Sequence, residues 1–205
     1  FNKTDYVFHL AAESRIQPTL ENPILAFKTN AVGTATVLQC AREAGVKRVI
    51  YSSTSSAYGK NRPPLVETMQ DDCLNPYSVS KVAGEKLCKM YNDLFGLKTI
   101  IFRYFNVYGP RSRTSGAYGA VFGVFLAQKL NNKPYTVVGD GTQSRDFTYV
   151  LDVVDAFISA AQSTVDSEEM NVGSGNHYSI NKLVQLLGGD VTYIPKRPGE
   201  TDCTY

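Results

Sequence analysis

A tyrosine and a lysine four residues apart, Tyr77 and Lys81, have the side chains best suited to acid–base chemistry in this sequence. Residues with this spacing stand on one face of a helix. An ammonium group beside a phenol favours the phenolate, so we expect Lys81 to lower the pKa of Tyr77 towards the working pH. Thr54, at the end of an apolar strand, is expected to hydrogen-bond the same substrate oxygen. The three groups suit removal of a proton from a hydroxyl group whose carbon gives up hydride.

The spacing alone is weak evidence, because 13 tyrosines and 12 lysines in 205 residues produce about one such pair by chance. A second pair, Tyr178 and Lys182, has the same spacing and is interpreted as a surface helix with a partly buried ring. Only Tyr77 follows a hydrophobic strand that ends in hydroxyl residues. The dipeptide Asn75-Pro76 then predicts a helix start just before it.

Length and composition describe a soluble globular chain of one domain or a domain and a half, with 43% hydrophobic and 20% charged residues. A net charge of +2 without a basic cluster argues against a dedicated nucleic-acid binder. No apolar run approaches the roughly 18 residues of a membrane span. Four cysteines without a Cys-x-x-Cys pair and two distant histidines predict reduced thiols, a cytoplasmic location and no metal.

Apolar runs alternate with helical stretches along the chain, which is typical of a parallel sheet covered by helices. The predicted strands are residues 6–10, 46–52, 98–104, 135–138 and 170–172. The predicted helices are residues 23–44, closed by Gly45, the segment that carries Tyr77, closed by Gly96, and residues 120–130. Strand–helix–strand units of this length form right-handed crossovers.

The character of the chain changes near residue 110, after Gly109 and Pro110, where a loop over residues 111–119 is expected. We therefore predict an α/β fold. Residues 1–110 would form the remainder of a Rossmann-like, doubly wound parallel sheet that binds a dinucleotide, with its first strands missing. Residues 111–205 would form mainly a smaller substrate-binding cap, with residues 150–175 returning to the main sheet.

A dinucleotide-binding fold should open with a strand, a glycine-rich turn and a helix whose N-terminus holds the pyrophosphate. The sequence contains no Gly-x-Gly-x-x-Gly or Gly-x-x-Gly-x-x-Gly. Gly116 and Gly119 begin the second pattern, but Phe122 occupies its third position. We therefore expect much of any phosphate site to lie outside these residues, which puts independent cofactor binding by them in question.

Seven segments follow one another in an order that is more specific than any one of them. They are DYVFHLAA at residues 5–12, NAVGT at 30–34, YSSTSSAYG at 51–59, PYSVSK at 76–81, RYFNVYGP at 103–110, GDGTQSRDF at 139–147 and RPGE at 197–200. The series resembles the extended short-chain dehydrogenase/reductases that act on nucleotide sugars, most closely the UDP-sugar 4-epimerases. It covers nearly the whole chain.

The resemblance implies NAD as the cofactor and a nucleotide sugar as the substrate, with Tyr77 as catalytic base, Lys81 on the nicotinamide ribose and Thr54 on the sugar O4. The residues implied to border the NAD are Leu10, Ala11, Ala12, Asn30, Ser52, Ser53, Tyr77, Lys81 and Tyr104. The residues implied to bind substrate are Thr54, Asn106, Arg145 and Arg197. Arginine suits the diphosphate because its planar guanidinium makes paired hydrogen bonds to phosphate oxygens.

Simpler interpretations of three of these residues remain open. Asn30 could be a solvated polar residue in a helix, Arg145 could form a local ion pair with Asp146, and Arg197 could belong to a solvated basic turn. The resemblance further implies a homodimer built from the helices at residues 23–44 and 76–95.

The implied reaction is epimerisation of a UDP-hexose at C4 through a 4-keto intermediate, which turns over in its pocket before hydride returns. The 4,6-dehydratases of this group carry an Asp-Glu pair after the catalytic threonine, where this chain has Ser55 and Ser56. Dehydration is therefore disfavoured, although residues 11–14 resemble those enzymes. The alternatives are a dehydratase, decarboxylase or reductase on the same scaffold, or a non-catalytic fragment that uses the fold as a binding surface.

Overall fold

The computed structural model describes residues 1–114 and 120–205, so Gly116 and Gly119 lie outside the described residues. In chain order the strands are β1 (Tyr6–His9), β2 (Arg48–Thr54), β3 (Thr99–Tyr104), β4 (Asn106–Tyr108), β5 (Tyr135–Val138), β6 (Ser144–Arg145), β7 (Phe147–Tyr149), β8 (Glu168–Val172), β9 (Tyr178–Ser179), β10 (Val191–Ile194) and β11 (Cys203–Thr204). The helices are α1 (Ile16–Glu21), α2 (Pro23–Phe27), α3 (Gly33–Glu43), α4 (Pro76–Phe95), α5 (Val121–Leu130), α6 (Val150–Gln162) and α7 (Ile180–Leu187).

The main sheet has the strand order β1-β2-β3-β8, and every neighbouring pair in it is parallel. Strand β8 pairs with β3, so the chain does return to this sheet after α6. Strand β5 instead pairs with β10 in a separate two-stranded sheet. The division into a dinucleotide-binding part and a cap remains a prediction.

Helices cover both faces of the main sheet, as predicted for a doubly wound fold. On one face, Leu38 of α3 and Cys88 of α4 pack with Val49 and Ile101. On the other face, Val153 and other residues of α6 pack against the sheet. Every residue of β2 is buried, which is expected for a central parallel strand with both faces covered.

Helix α4 begins and ends where its local sequence predicts. The Asn75 side chain accepts a hydrogen bond of 2.9 Å from the backbone N–H of Ser78, and Pro76 occupies the first turn. Gly96 ends the helix at φ +67°, a left-handed conformation that favours glycine. These two signals fix the position of Tyr77 in the first turn.

The predicted single helix over residues 23–44 is wrong in its middle, where Lys28–Val32 forms a π-helical turn between α2 and α3. Asn30 lies in this turn and is buried. Its side chain makes long-range hydrogen bonds that stabilise the turn with its extra residue. π-Helical turns of this kind occur frequently at functional sites. The local sequence signals that predict helices give no indication of these long-range hydrogen bonds.

The second part of the structure has its own apolar cluster, in which α5, β5 and α7 contribute Phe125, Tyr135, Val137 and Leu183. Two further short sheets lie outside the main sheet: β4 pairs with β7, and β6 pairs with both β9 and β11. Within the described residues, no helix has the length and apolar character needed to cross a membrane.

Two helical glycines provide a test of the packing between α4 and β2. A Cβ on Gly84 would collide with the ring and hydroxyl of the fully buried Tyr51, whereas a Cβ on Gly33 would meet Lys28 O at 3.7 Å, an ordinary contact. We expect Gly84→Ala to lower the free energy of unfolding by about 1–3 kcal/mol, the usual cost of overpacking. Gly33→Ala should raise it by up to about 1 kcal/mol through helix propensity. Urea titrations of both variants measure this, and a Gly84→Ala protein as stable as Gly33→Ala contradicts the packing.

Candidate active site

The carboxyl ends of β1, β2 and β3 meet at one edge of the main sheet, where ligands bind in open parallel sheets. Thr54 ends β2 and lies in register with Tyr104 at the end of β3. Leu10 and Ala11, which follow β1, are exposed, and Ala12 is half-buried. The structure therefore brings these predicted residues to a common edge.

Tyr77 is half-buried in the first turn of α4 and lies beside Thr54. Burial raises the pKa of the Tyr77 phenol above its ordinary value, while interactions with the Thr54 hydroxyl and with the positive charge of Arg15 act in the opposite direction. The Thr54 hydroxyl and the Tyr77 phenol therefore lie side by side, and the expectation that both bind one substrate oxygen stays a prediction. Arg15 was not among the predicted residues.

Lys81 is buried, with 2% of its surface exposed, and its ammonium nitrogen lies 4.3 Å from the centroid of the Tyr51 ring. Burial lowers the pKa of Lys81 to about 8, against the opposing influences of Cys88 and Glu85. The expectation that Lys81 lowers the pKa of Tyr77 is wrong in this structure. Desolvation dominates at the phenol, and the groups that offset it are Thr54 and Arg15.

Asn30 is 1% exposed, so its interpretation as a solvated residue is wrong. Its Oδ1 accepts from the backbone N–H of Glu13 at 2.8 Å. Its Nδ2 donates to Glu13 O at 3.0 Å and to Ser80 Oγ at 2.9 Å. The side chain therefore fastens the loop after β1 to helix α4, next to Lys81. This contact makes Asn30 a positioning residue, and its predicted role at the border of NAD stays a prediction.

His9, at the end of β1, belongs to the same buried region and was not predicted as a site residue. Its Nε2 lies 2.9 Å from Thr34 Oγ1, and that hydroxyl donates to Asn30 O at 2.6 Å. Because the hydroxyl hydrogen is used there, His9 Nε2–H must be the donor to Thr34. Burial and the nearby charge of Lys81 lower the pKa of His9 to about 4, so the ring is neutral near pH 7. The only sequence signal was a histidine at the end of a strand.

The two predicted serines of β2 make different contacts. Ser52 Oγ lies 3.4 Å from the hydroxyl of Tyr104, at the sheet edge. Ser53 Oγ donates to a carboxylate oxygen of Glu85 on α4. The Ser53 hydroxyl is therefore directed into the protein.

A cleft of about 510 Å³ opens beside this edge. Its lining residues are Ala12, Glu13, Ser14, Arg15, Val107, Ser112, Arg113 and Ala120. Of these, only Ala12 was predicted as a site residue. The remaining residues come from the loop after β1, from the residues on either side of 115–119, which are Ser112, Arg113 and Ala120, and from β4, which contributes Val107. Sequence reasoning identified the second of these regions as a loop without assigning it a role.

The predicted diphosphate residues are not among those that line this cleft, although Asn106 is next to the lining residue Val107. Asn106 begins β4, and its Nδ2 lies 3.4 Å from Thr204 Oγ1. Arg145 donates to the carbonyl oxygens of Ser144 and Thr201, each at 2.8 Å, and to Asp202 O at 3.2 Å. Arg197 is exposed in the loop between β10 and β11.

The proposed ion pair between Arg145 and Asp146 is absent from the described residues. Asp146 instead accepts from the backbone N–H groups of Ser174 and Gly175, at 2.9 and 2.8 Å. The pair Tyr178 and Lys182 spans the junction of β9 with α7, and both residues are exposed. The surface location predicted for this second pair is therefore right, but the single helix is wrong.

Residues 1–173 match the model of the NAD dependent epimerase/dehydratase family. The chain belongs to this family. It is 42% identical over 192 residues to the UDP-N-acetyl-alpha-D-glucosaminuronate decarboxylase of Bacillus cytotoxicus, covering 90% of this chain and 58% of the relative. It is 34% identical over 208 residues to a putative UDP-glucose 4-epimerase of Methanocaldococcus jannaschii, covering 98% of this chain and 67% of the relative.

Solved structures of this epimerase/dehydratase family share the fold. The UDP-glucose 4-epimerase of Thermotoga maritima with UDP-glucose matches at a TM-score of 0.93 and 34% identity, covering 98% of this chain and 67% of that one. The UDP-glucuronic acid 4-epimerase of Bacillus cereus, in complex with UDP-glucuronic acid and NAD, matches at 0.91 and 31%, covering 98% and 66%. The predicted α/β fold and the family resemblance are confirmed. The chain spans about three fifths to two thirds of the length of these relatives.

The buried, neutral His9 provides a pH test of the site. Its pKa is about 4 in the folded protein and about 6.5 in an unfolded chain, so the unfolded state takes up a proton first as the pH falls. Stability contributed by neutral His9 is present above pH 6.5 and is lost between about pH 6.5 and 4, by an amount on the order of 3 kcal/mol.

Urea unfolding at pH 7 and pH 4 measures this loss in the native protein and in the variant His9→Gln. Carboxylates titrate alike in both proteins, so the difference between the two isolates His9. We expect the variant to lose less stability over this range. Equal losses would show that His9 does not resist protonation.

Proposed function

We propose that the protein is an NAD-dependent nucleotide-sugar 4-epimerase, acting on a UDP-hexose through a 4-keto intermediate in the cytoplasm. The observation that carries this proposal is that Thr54 and Tyr77 lie side by side at the carboxyl edge of the sheet, with the buried Lys81 one helical turn after Tyr77 on α4. An acid–base phenol beside a second hydroxyl suits a sugar alcohol. The matching family and the epimerases among its solved structures support the same reaction.

The residues at this edge fit NAD. The Lys81 ammonium is buried against an aromatic face and forms no ion pair among the described residues, which leaves N–H donors for the hydroxyl groups of a ribose. The backbone of residues 10–12 and the hydroxyls of Ser52 and Tyr104 border the same edge. When bound, NAD would accept the C4 hydrogen and return it to the opposite face of the sugar.

Tyr77 and Thr54 would share the sugar O4, with Tyr77 as the group that takes and returns the proton. The raised pKa of Tyr77 means that the phenol keeps its proton in this structure near pH 7. Positive charge close to the phenol favours its ionised form, and Arg15 in the neighbouring cleft supplies part of that charge. The cleft beside these residues would hold the sugar.

Asn106, Arg145 and Arg197 are proposed to bind the diphosphate. Arg145 supports this proposal because its described partners are neutral carbonyl oxygens, and no carboxylate among the described residues forms an ion pair with it. Burial lowers the pKa of Arg145. A desolvated guanidinium whose charge Glu200 and Asp202 offset only in part, without an ion pair among the described residues, is a suitable site for an anion. A firm hold on the diphosphate would leave the sugar free to rotate.

Decarboxylation of a nucleotide-sugar uronate is the second candidate, favoured by the identity of 42% to the Bacillus cytotoxicus decarboxylase. Both reactions begin with oxidation at C4 and would use Thr54, Tyr77 and Lys81 in the same way. Incubation of the complete protein with UDP-galactose, UDP-N-acetylgalactosamine and UDP-glucuronate separates them by product mass. An isomer of unchanged mass supports epimerisation, whereas loss of carbon dioxide or water contradicts it.

Replacement of the proposed base gives the direct test. In the complete protein, Tyr77→Phe should lower kcat by about 100-fold to 10,000-fold, because it removes the proton acceptor and leaves the ring in place. Tyr178→Phe is the matched control, since Tyr178 has the same spacing to a lysine but is 50% exposed on β9. It should leave the rate unchanged. Equal rates in native protein and Tyr77→Phe would remove Tyr77 as the base.

We also propose that the protein is a homodimer joined through the α2–α3 segment and α4. Large apolar side chains remain exposed along these helices, although the chain already buries a hydrophobic core. They are Ile24, Val32, Val79, Met90 and Leu94, which are 37–69% exposed. On α4, Met90 and Leu94 recur at helical spacing on the side away from the sheet. A second copy of the chain would cover them.

Leu94→Glu should weaken this dimer, because it places a charge in an apolar interface. The control is Leu130→Glu, which changes a leucine that is 84% exposed at the end of α5, outside the proposed surface. Light scattering after size-exclusion chromatography measures the mass of each variant. We expect a monomer for Leu94→Glu and a dimer for Leu130→Glu. A dimer in both variants would exclude Leu94 from the interface.

A further inference from the structure

Arg103 of β3 lies at the centre of a buried charge cluster and is 2% exposed. Its Nε and Nη2 donate to the two carboxylate oxygens of Glu85, at 3.0 and 2.6 Å. Its Nη2 also donates to Asp71 at 2.6 Å, and its Nη1 pairs with Glu169 of β8 at 2.9 Å. One guanidinium thus joins helix α4, two strands and the segment that leads into α4.

Glu85 occupies the point where this cluster meets the candidate active site. It is 2% exposed and lies one helical turn after Lys81 on α4. One of its oxygens also accepts the hydroxyl of Ser53, the residue before Thr54. A single carboxylate therefore connects the end of β2 to the helix that carries both Tyr77 and Lys81.

The same carboxylate acts on the charge of Lys81. The titratable groups that face the Lys81 ammonium are His9 from β1, Tyr51 from β2, and Glu85 and Cys88 from α4. His9 is neutral near pH 7, and burial keeps the Cys88 thiol protonated by raising its pKa to about 12. Glu85, one helical turn after Lys81, is the carboxylate among these groups, and together with Cys88 it opposes the effect of desolvation on the pKa of Lys81.

We propose that Glu85 is a positioning residue that fixes the end of β2 against helix α4 and keeps Lys81 protonated during turnover. This role rests on the proposed function only where turnover is measured. Arg103 holds the carboxylate in place, and Ser53 transmits its position to Thr54. Buried ion pairs of this kind are a poor source of stability, because desolvation of the charges offsets their attraction. The contacts of Glu85 are instead explained by the positioning of Ser53 and Thr54 and by control of the Lys81 charge.

The test compares Glu85→Gln with Glu169→Gln in the complete protein. Each variant removes one carboxylate charge from Arg103, but only Glu85 contacts Ser53 and influences Lys81. The titration of Lys81 Nζ is followed by NMR in protein labelled with ¹⁵N-lysine. We expect its midpoint to move below about 8 in Glu85→Gln and to stay at the native value in Glu169→Gln.

The kinetic readout is the pH profile of kcat. Activity that needs charged Lys81 is lost as the pH rises through its pKa, so this loss should begin at lower pH in Glu85→Gln. At neutral pH, kcat should fall by roughly 10-fold to 100-fold, as expected for a displaced catalytic group. A purely structural role would change the stability of both variants and leave the Lys81 titration and the profile unmoved, which overturns the proposal.

A second variant tests the positioning role of Glu85 without altering any charge. Ser53→Ala removes the hydroxyl that Glu85 binds, and we expect a lower kcat, an unchanged KM for substrate and an unchanged Lys81 titration. An unchanged kcat contradicts the positioning role. If the native protein shows no epimerase activity, the proposed function fails, while the Lys81 titration still decides whether Glu85 controls its charge.

Discussion

The depth at which Lys81 is held depends on one contact between helix α4 and the Tyr51 side chain of β2. The Tyr51 ring lies beneath the ammonium at 4.3 Å, and its hydroxyl donates to the carbonyl oxygen of Lys81 at 3.1 Å. Gly84 permits this approach because any side chain at its position would occupy the space of the Tyr51 hydroxyl. With strand and helix locked at this point, the first turn of α4 carries Tyr77 to Thr54 at the end of β2.

Burial then determines the charges at this edge of the sheet. Desolvation lowers the pKa of both His9 and Lys81 and raises the pKa of Tyr77, so every shift favours the neutral form. A site made of such groups responds strongly to any charge placed nearby. That is why the few charged neighbours matter: Glu85 acts on Lys81, and Arg15 acts on Tyr77.

Features with local causes could be predicted from the sequence. The main strands follow from apolar runs, and both ends of α4 follow from Asn75-Pro76 and Gly96. Features with distant causes could not. The π-helical turn depends on hydrogen bonds from Asn30 to residues 17 and 50 positions away in the chain. The carboxylates around Arg103 come from three separate segments, and no spacing rule identifies such a set. The cleft likewise exists only once two loops are brought together.

The spacing of Tyr77 and Lys81 identified suitable residues for the site. The reason given for it, that the Lys81 charge lowers the pKa of Tyr77, does not hold in the structure. Side chains one turn apart share a helix face but differ in reach, so they can have different partners. The Lys81 ammonium extends to the ring of Tyr51, whereas the phenol of Tyr77 meets Thr54 and the charge of Arg15. Their roles in the proposed reaction therefore separate. In that reaction Tyr77 and Thr54 would handle the proton, while Lys81 would supply buried N–H donors to the ribose of NAD. Glu85 would act on Lys81 through its charge, and on Thr54 and Tyr77 through the position of β2 against α4.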